Sequence, residues 1–329
     1  MRNLSALSTS FSWEEISSAI LHSPPNKSPG PDGYTNEFYK CFISTLKPDL
    51  IALFNSFHAN AADLSGVNIS YITLIPKKET PLGITDFRPI SLLHSLPKLI
   101  SKVLANRVQG EIPELIDPMQ SAFIKGRSIT ENFILASDIV QCAIKRKKPT
   151  IILKLDFQKA FDTVNWDCLY LVLHRRGFDD TWINWIKQIL ETGQAHVLIN
   201  GSTGESFKYR RGVRQVADVL QQMIQQAFHS EQLLHPLDSH SPPPTLQYAD
   251  DTLLILKGSL EQAEIIKSIL EEFAAFSGLQ INFSKSTFVP IHMNEPEATA
   301  IAELLQCPIS PLPCNYLGLG LPLSTAVTP

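Results

Sequence analysis

The sequence predicts a mixed α+β fold, because strand-like and helix-like segments alternate irregularly along the chain. Residues 150–157 (TIILKLDF) are almost all β-branched or apolar, which is typical of a buried central strand. Residues 261–276 repeat apolar side chains on one helical face, and Gly278 then ends the pattern. Together these segments indicate a sheet with helices packed against it.

The composition is that of a globular protein. The chain has 329 residues, with 44% hydrophobic and 18% charged residues and a mean hydropathy of +0.01. At roughly 100–200 residues per domain, this length allows two units or one large mixed unit. We see no apolar run long enough to span a bilayer and no secretory signal at the start, so we expect an intracellular protein, in the nucleus or the cytoplasm, without a membrane partner.

Cysteine spacing and charge exclude several classes of site. The five cysteines are scattered without a C-x-x-C pair, so we expect reduced, mostly packed thiols and no disulfide-linked partner. The net charge of −4 argues against binding a polyanion by bulk charge. A nucleic-acid role would need local positive charge, and the candidates are residues 145–148, residues 208–211 with Arg214, and the pair Lys77 and Lys78. Each of these is also compatible with a solvated loop or helix end.

The elements of the first half follow from caps and prolines. Ser12 and Glu15 form a capping box for a short helix that ends at the proline-rich segment 22–34, and a second helix covers residues 37–46. The alternating segment 71–78 predicts a strand broken at Pro76. The remaining predicted elements of this half are a helical pattern that starts at residue 86 and continues to residue 108, and a helix over residues 131–146 that Pro149 closes.

The second half contains hairpins and helices in alternation. Asp179, Asp180 and Thr181 can each cap a helix over residues 182–190. Residues 195–209 predict a hairpin that turns near Asn200 and Gly201. A helix over residues 216–228 precedes a proline-rich connector. The last predicted elements of this half are the strand pair 246–248 and 252–256 and the helix of residues 261–276.

Three acidic residues form the candidate chemical site. Asp250 and Asp251 lie in the turn between two short apolar strands, and Asp156 ends the central strand. Hard divalent cations prefer oxygen ligands, and such a cluster can hold two ions a few ångströms apart. Adjacent acids at a hairpin tip can also be ordinary turn residues. Asp156 strengthens the metal interpretation, because we expect an acid at the end of an almost wholly apolar strand to be desolvated, which costs free energy unless the acid is paired or metal-bound.

Eight motifs in order resemble the reverse transcriptase domain of non-LTR, LINE-type retrotransposons. The palm-like motifs are LKLDFQKAFDTVNW (153–166), LQYADDTLLIL (246–256), SGLQINFSKS (277–286) and NYLGLGLPLS (315–324). The upstream motifs, similar to the N-terminal extension and fingers of that family, are NKSPGPDGYTNEFYK (26–40), ITLIPKK (72–78), DFRPISLL (86–93) and QSAFIKGRSITENF (120–133).

The resemblance implies the fingers and palm of a right-hand polymerase, with a central antiparallel sheet that carries the carboxylates and is backed by helices, and with the thumb missing. Its implied domains are an N-terminal extension (1–60), fingers (61–149), a palm with the catalytic carboxylates (150–290), and the palm end with the primer grip, truncated before the thumb (291–329). The upstream endonuclease and the downstream cysteine-rich segment of such elements are also expected to be missing.

The resemblance also assigns roles to single residues. Asp156, Asp250 and Asp251 would hold two Mg²⁺ ions, and the expected partners are an RNA template, a DNA primer and deoxynucleoside triphosphates. The implied substrate contacts are Phe161 as a gate against a ribose 2′-hydroxyl, Lys285 at the leaving group, Arg88 and Lys77 at the incoming triphosphate, and Gln215 beneath the nascent base pair. Packing is the alternative for Phe161, solvent exposure is the alternative for the basic residues, and Asp162 is expected to be structural rather than a ligand.

One departure from the family pattern falls after Gln215. Residues 210–215 (RRGVRQ) begin the family motif, but the Gly-Asp-Pro-Leu-Ser-Pro stretch that follows in the family is missing here. We therefore expect an impaired RNA-directed DNA polymerase. The alternatives are a catalytically silent remnant that keeps the fold and weak RNA binding, and a palm-fold metal enzyme acting on mononucleotides. The patterns H-E-x-x-H and G-x-x-x-x-G-K-[ST] do not occur in the sequence.

Overall fold

The computed structural model describes residues 3–158, 162–212, 218–238, 240–249 and 251–321. The fold is mixed α+β, as the sequence predicts. The helices are α1 (Trp13–Leu21), α2 (Asn36–Cys41), α3 (Ile43–His58), α4 (Ser95–Val108), α5 (Ile112–Leu115), α6 (Ile129–Lys145), α7 (Trp166–Arg176), α8 (Asp180–Glu191), α9 (Asp218–His229), α10 (Leu260–Ser277) and α11 (Glu295–Leu305). The strands are β1 (Ile69–Pro76), β2 (Phe87–Leu93), β3 (Thr150–Leu155), β4 (Gln194–Ile199), β5 (Ser202–Lys208), β6 (Thr245–Tyr248), β7 (Asp251–Lys257), β8 (Thr287–Ile291), β9 (Asn315–Tyr316) and β10 (Leu319–Gly320).

The chain divides into two units. Unit 1 contains residues 1–110 and 170–210, and unit 2 contains residues 111–169 and 211–329. Within the described residues, no helix is both long enough and apolar enough to cross a membrane.

Unit 1 contains a mixed four-stranded sheet in the order β2-β1-β4-β5. The central pair, β1 and β4, is parallel, and each pairs antiparallel with an outer strand. The hairpin between β4 and β5 turns at Asn200 and Gly201, whose φ angles of 51° and 82° suit a two-residue turn of type I′. This confirms the predicted hairpin.

The core of unit 1 is aromatic. The ring of Phe11 lies 5.0 Å from that of Trp185 and 5.1 Å from that of Phe54, measured between ring centres. The capping box predicted for α1 is present: Ser12 Oγ accepts from Glu15 N at 3.2 Å, and the Glu15 carboxylate accepts from Ser12 N at 3.0 Å. The cap starts α1 so that its apolar face lies against this core.

The helical pattern predicted from residue 86 is wrong over its first part. Phe87–Leu93 forms strand β2, which pairs antiparallel with β1, and α4 begins at Ser95. The physical reason lies in Pro89, which has no N–H to donate inside a helix but is tolerated in a strand at the edge of a sheet. The apolar residues of this segment therefore belong to a strand of the sheet, and only the part from Ser95 onward is helical.

Unit 2 contains an antiparallel sheet in the order β6-β7-β3-β8. Strand β3 lies inside this sheet and its side chains are almost all buried, as the sequence predicts. One core cluster joins this sheet to α6 and to the segment of β9, through Val140, Ile152, Leu253 and the fully buried Tyr316. Helix α10 packs against α9 and α11 and ends at Gly278, whose φ of 79° explains the glycine there.

The cysteines are mostly packed, as predicted. Cys168, Cys307 and Cys314 are buried, Cys142 is half-buried and Cys41 is exposed. Burial raises the pKa of the Cys168 and Cys307 thiols to about 11, so both are protonated near neutral pH. These thiols therefore behave as core side chains.

Candidate active site

Asp156 directly follows the central strand β3 and lies at one end of the unit 2 sheet. Leu155, the last residue of β3, is buried, and Asp156 directly after it is exposed. The expectation that Asp156 is desolvated is therefore wrong. Asp156 lies just beyond the last pair of β3 with β7, and its carboxylate reaches water although the side chains before it are mostly buried.

The second acidic position lies at the connection between β6 and β7. Tyr248 pairs with Asp251, so the connection between the two strands is two residues long. Ala249 has a φ of 59°, which a two-residue turn of this kind requires of its first residue. The side chain of Asp251 is 44% exposed. Asp250 itself lies outside the described residues.

The strand register brings Asp156 and Asp251 to the same end of the sheet. The pairs run from Thr150 with Lys257 to Leu155 with Thr252, so Asp156 directly follows the last pair and Asp251 directly precedes it, at the same end of the sheet. Carboxylate oxygens are the ligands that a hard divalent cation prefers, so the described part of the site fits such an ion.

Lys154 is a basic neighbour that the sequence reasoning did not single out. Its Nζ lies 3.8 Å from Asp251 Oδ1 and donates to the carbonyl of Asn315 at 3.2 Å. Among the described residues, no group of three or more His, Cys, Asp or Glu side chains is placed to share a metal ion. The third predicted ligand, Asp250, is not among those residues.

The turn before β8 holds the backbone of Asp156 in place. The Asp156 N–H donates to Ser286 Oγ at 3.0 Å, and the Asp156 carbonyl accepts from Asn282 N at 2.7 Å. Ser286 Oγ in turn donates to the Asn282 carbonyl at 2.9 Å, and Ser286 is buried. Lys285 lies exposed in this same turn, one residue from the serine that contacts Asp156. Asn282 and Ser286 were missed because a short polar motif does not show which backbone its side chains contact.

A second support fixes β6 from its open side. Gln120 forms a parallel bridge with Gln247. The side-chain amide of Asn132 holds the two segments of this bridge together, because it donates to the carbonyl of Met119 at 2.9 Å and to that of Gln247 at 3.1 Å. Asn132 is buried, so these bonds are shielded from water. The strand that leads into the acidic turn is therefore bonded on both of its edges.

Lys77 and Arg88 lie at the end of the β1–β2 hairpin in unit 1. Lys77 N donates to Asp86 O at 2.7 Å and its Nζ donates to Thr85 O at 2.9 Å, while Arg88 pairs across from Ile75 and is exposed. Backbone N–H groups, first that of Leu82, hold the pKa of Asp86 below its ordinary range, with Lys78 contributing. The hairpin thus presents several basic groups at one tip.

Three of the predicted site residues lie outside the described residues: Phe161, Gln215 and Asp250. The chain before Gln215 is anchored within unit 2. Gly212 N donates to Val164 O at 2.9 Å, and Trp166 Nε1 donates to Gly212 O at 3.0 Å. Asp162, predicted to be structural, is exposed in a turn before α7.

Comparison with known proteins gives one family and several relatives. Residues 75–321 match the family described as "Reverse transcriptase (RNA-dependent DNA polymerase)". The chain is 32% identical over 295 residues to the "Transposon TX1 uncharacterized 149 kDa protein" of Xenopus laevis, covering 87% of this chain and 22% of that protein. It is 28% identical over 273 residues to the "RNA-directed DNA polymerase from mobile element jockey" of Drosophila melanogaster, covering 81% and 28%.

A third relative is the "Retrovirus-related Pol polyprotein from type-1 retrotransposable element R2" of Popillia japonica. The identity is 26% over 229 residues, covering 67% of this chain and 32% of that protein. The chain therefore spans about a fifth to a third of the length of these relatives.

Proposed function

Since this chain belongs to the reverse transcriptase family, as a reverse transcriptase domain of a non-LTR retrotransposon, we propose that it carries the site for RNA-templated addition of deoxynucleotides to a primer. The observation that carries this proposal is the strand register that places Asp156 and Asp251 at the same end of the unit 2 sheet. Family membership also implies a nucleic-acid template, nucleoside triphosphates and a divalent metal.

In this proposal, Asp156, Asp250 and Asp251 hold two Mg²⁺ ions through their carboxylate oxygens. When bound, such ions make a primer 3′-hydroxyl a better nucleophile and neutralise charge on the triphosphate and the leaving pyrophosphate. The Ser286 and Asn282 contacts to the Asp156 backbone support the first carboxylate, because a positioned ligand needs no reorganisation when substrate arrives.

The remaining predicted residues act on the substrate. Lys285 neutralises the leaving group, and Lys77 and Arg88 bind the incoming triphosphate as charge-assisted donors. The ring of Phe161 excludes a ribose 2′-hydroxyl, and Gln215 contacts the nascent base pair.

We further propose that the segment missing after Gln215 impairs this copy. Gly212 is bonded to the chain around Val164, and α9 is described from Asp218, so five residues connect the two. The sequence of these residues lacks the Gly-Asp-Pro-Leu-Ser-Pro stretch that the family places beneath the nascent pair. A displacement of about 1 Å in a positioning surface can lower a rate on the order of a hundredfold. A silent remnant that keeps the fold and weak RNA binding is the second candidate, supported by the same missing segment.

The test uses the chain with Gly-Asp-Pro-Leu-Ser-Pro inserted after Gln215, a primed RNA template and Mg²⁺. Asp156→Asn and Asp250→Asn should each lower primer extension by about a thousandfold or more, because each removes a ligand charge without changing volume. The urea-unfolding midpoint should stay unchanged. Asp138→Asn, an exposed acid on α6, is the matched control and should keep full activity. Activity of Asp156→Asn within tenfold of its parent would refute the assignment.

A further inference from the structure

The side chain of Lys154 links the acidic end of the unit 2 sheet to the β9–β10 hairpin. Its Nζ lies 3.8 Å from Asp251 Oδ1, and it donates to the carbonyl of Asn315, in β9, at 3.2 Å. One ammonium group therefore contacts both a proposed metal ligand and a hairpin that lies far from that ligand in sequence.

The register of β3 explains why Lys154 reaches Asp251. Lys154 pairs with Leu253 on β7, and Asp251 lies two residues before Leu253 on the same strand. Side chains two residues apart in a strand point to the same face, so Lys154 and Asp251 are diagonal neighbours on one face of the sheet. Their contact is therefore fixed by the pairing of two central strands.

The β9–β10 hairpin is anchored beside this pair. Tyr316 is fully buried, and its hydroxyl donates to the carbonyl of Leu246 at 3.3 Å. The Tyr316 ring belongs to the same core cluster as Leu253, the residue that pairs with Lys154. Burial and, after it, the charge of Asp251 raise the pKa of the Tyr316 hydroxyl, as expected for a hairpin close to that carboxylate.

The contact between Lys154 and Asp251 is one that a cation can replace. The two side chains are 34% and 44% exposed, so water screens their attraction. A divalent cation bound to the Asp251 carboxylate would repel the ammonium that contacts the same group, because like charges a few ångströms apart interact strongly. The carbonyl of Asn315 carries no net charge and holds the ammonium less firmly than a carboxylate does.

We propose that Lys154 is a positioning residue that couples the divalent-cation site to the β9–β10 hairpin. Its ammonium neutralises Asp251 before a cation binds, and it leaves both Asp251 and the Asn315 carbonyl when a cation takes that carboxylate. Such coupling is reciprocal, so the hairpin contact opposes cation binding as much as cation binding opposes the hairpin contact. The inference rests on the proposed function, because it requires a divalent cation at Asp251.

The first experiment titrates the full chain with Mn²⁺ alone, whose free ion gives a paramagnetic resonance signal that is lost on binding. Lys154→Met removes the ammonium and keeps a side chain of similar length. It should bind Mn²⁺ at least about fivefold more tightly than the parent, because the competing charge is gone. Lys154→Arg keeps the charge and should restore an affinity near that of the parent. The urea-unfolding midpoints of both variants show whether the fold is kept.

Lys257→Met is the matched control. Lys257 is exposed at the other end of β7, so the variant makes the same charge change on the same strand. The distance along the strand is roughly 20 Å, which exceeds the screening length of about 10 Å in ordinary buffer. The Mn²⁺ affinity of Lys257→Met should therefore equal that of the parent.

A double-mutant cycle tests whether the effect passes through Asp251. In the Asp251→Asn background, Lys154→Met should change the Mn²⁺ affinity much less than it does in the parent, because the shared carboxylate is absent. An equal fold-change in both backgrounds would show repulsion without competition and would overturn the proposed role of Lys154.

Hydrogen exchange of the hairpin amides gives the second readout. The Leu321 N–H, which donates to the carbonyl of Cys314 at 2.8 Å, reports whether this segment stays closed. Saturating Mn²⁺ should speed its exchange in the parent, because Asn315 then loses the ammonium. In Lys154→Met the exchange should be fast with and without Mn²⁺. An exchange rate in the parent that does not respond to Mn²⁺ would overturn the coupling.

The outcomes separate this inference from the proposed function. If the parent binds Mn²⁺ and Lys154→Met binds it no more tightly, the role of Lys154 is overturned and the cation site stands. If neither the parent nor Lys154→Met binds Mn²⁺, the cation site is refuted, and the proposed function falls together with this inference.

Discussion

The side chain of Arg107 joins separate segments of unit 1. Its guanidinium donates to both Glu15 carboxylate oxygens, at 2.7 and 2.9 Å, and to the carbonyls of Leu7, Thr9 and Ser10. It also lies 4.1 Å from the centre of the Phe11 ring, and only 8% of the side chain is exposed. Because its planar fork matches these acceptors, lysine cannot substitute for it.

Arg107→Ala should lower the free energy of unfolding at neutral pH by roughly 2 kcal/mol, because it removes a nearly buried side chain that packs on Phe11 and leaves part-buried acceptors without their donor. The hydrogen bond from Arg107 holds the pKa of Glu15 below its ordinary value of 4.5. The Glu15 contribution is therefore present above pH 4.5 and is lost as the pH falls through the lower folded-state value. Its size is modest, because the Glu15 side chain is 35% exposed and water screens the pair.

The measurement is urea unfolding of parent and variant at neutral pH and at steps below pH 4.5. Stability of the parent should fall more steeply with acid than that of Arg107→Ala. Glu14→Gln removes a neighbouring exposed carboxylate and should leave the slope unchanged. Parallel acid curves for parent and Arg107→Ala would contradict the role of the pair.

A prediction at the residue scale concerns Phe161 and the choice between ribose and deoxyribose. Phe161→Val, in the chain with the inserted segment, should raise incorporation of ribonucleotides relative to deoxynucleotides, since a smaller side chain leaves space for a 2′-hydroxyl. Single-nucleotide addition assays with both sugars give the ratio. An unchanged ratio would show that Phe161 only packs in the core.

At the scale of elements, the sequence predicted those features that depend on residues close together in the chain. The Ser12 and Glu15 cap, the Asn200 and Gly201 turn and the apolar strand β3 each depend on neighbouring residues, and the structure confirms them. Strand β2 was missed because its pairing with β1 is a tertiary contact that outweighs a helical apolar spacing.

The sequence predicted the acidic residues of the candidate site, but it did not predict the residues that hold them in place. Two carboxylates at strand ends can be recognised from sequence, and their position at the same end of the sheet follows once β3 and β7 pair. The exposure of Asp156 could not be predicted, because it depends on where the pairing of β3 with β7 ends. The contacts of Ser286 and Lys154 depend on the pairing of β3 with segments more than 90 residues away in sequence, as the bonds to Asp156 and Asp251 show.

The turn before β8 gives a prediction at this scale. Ser286→Ala removes the acceptor of the Asp156 N–H and a donor to Asn282, so stability should fall by about 1–2 kcal/mol. In the chain with the inserted segment, the rate of nucleotide addition should fall about tenfold, since Asp156 loses its positioning contact. Ser268→Ala, at an exposed residue of α10, is the control. Equal rates for the two variants would show that the turn does not position Asp156.

At the scale of the whole molecule, contacts between distant segments decide the two units. The parallel pairing of β1 with β4 brings residues 170–210 into the unit of residues 1–110. Local sequence patterns do not predict such pairings, because a strand shows the same apolar pattern whether its neighbour is parallel or antiparallel. The expected boundaries of extension, fingers and palm stay predictions of the family resemblance.

The most direct test of the central claim compares this chain with one that carries Gly-Asp-Pro-Leu-Ser-Pro inserted after Gln215. Both are purified and assayed for extension of a DNA primer on an RNA template with Mg²⁺. The account predicts folded proteins in both cases, little or no extension by the chain as it stands, and extension increased on the order of a hundredfold by the insertion. Comparable extension by the two chains would contradict the claim that the missing segment limits this polymerase domain.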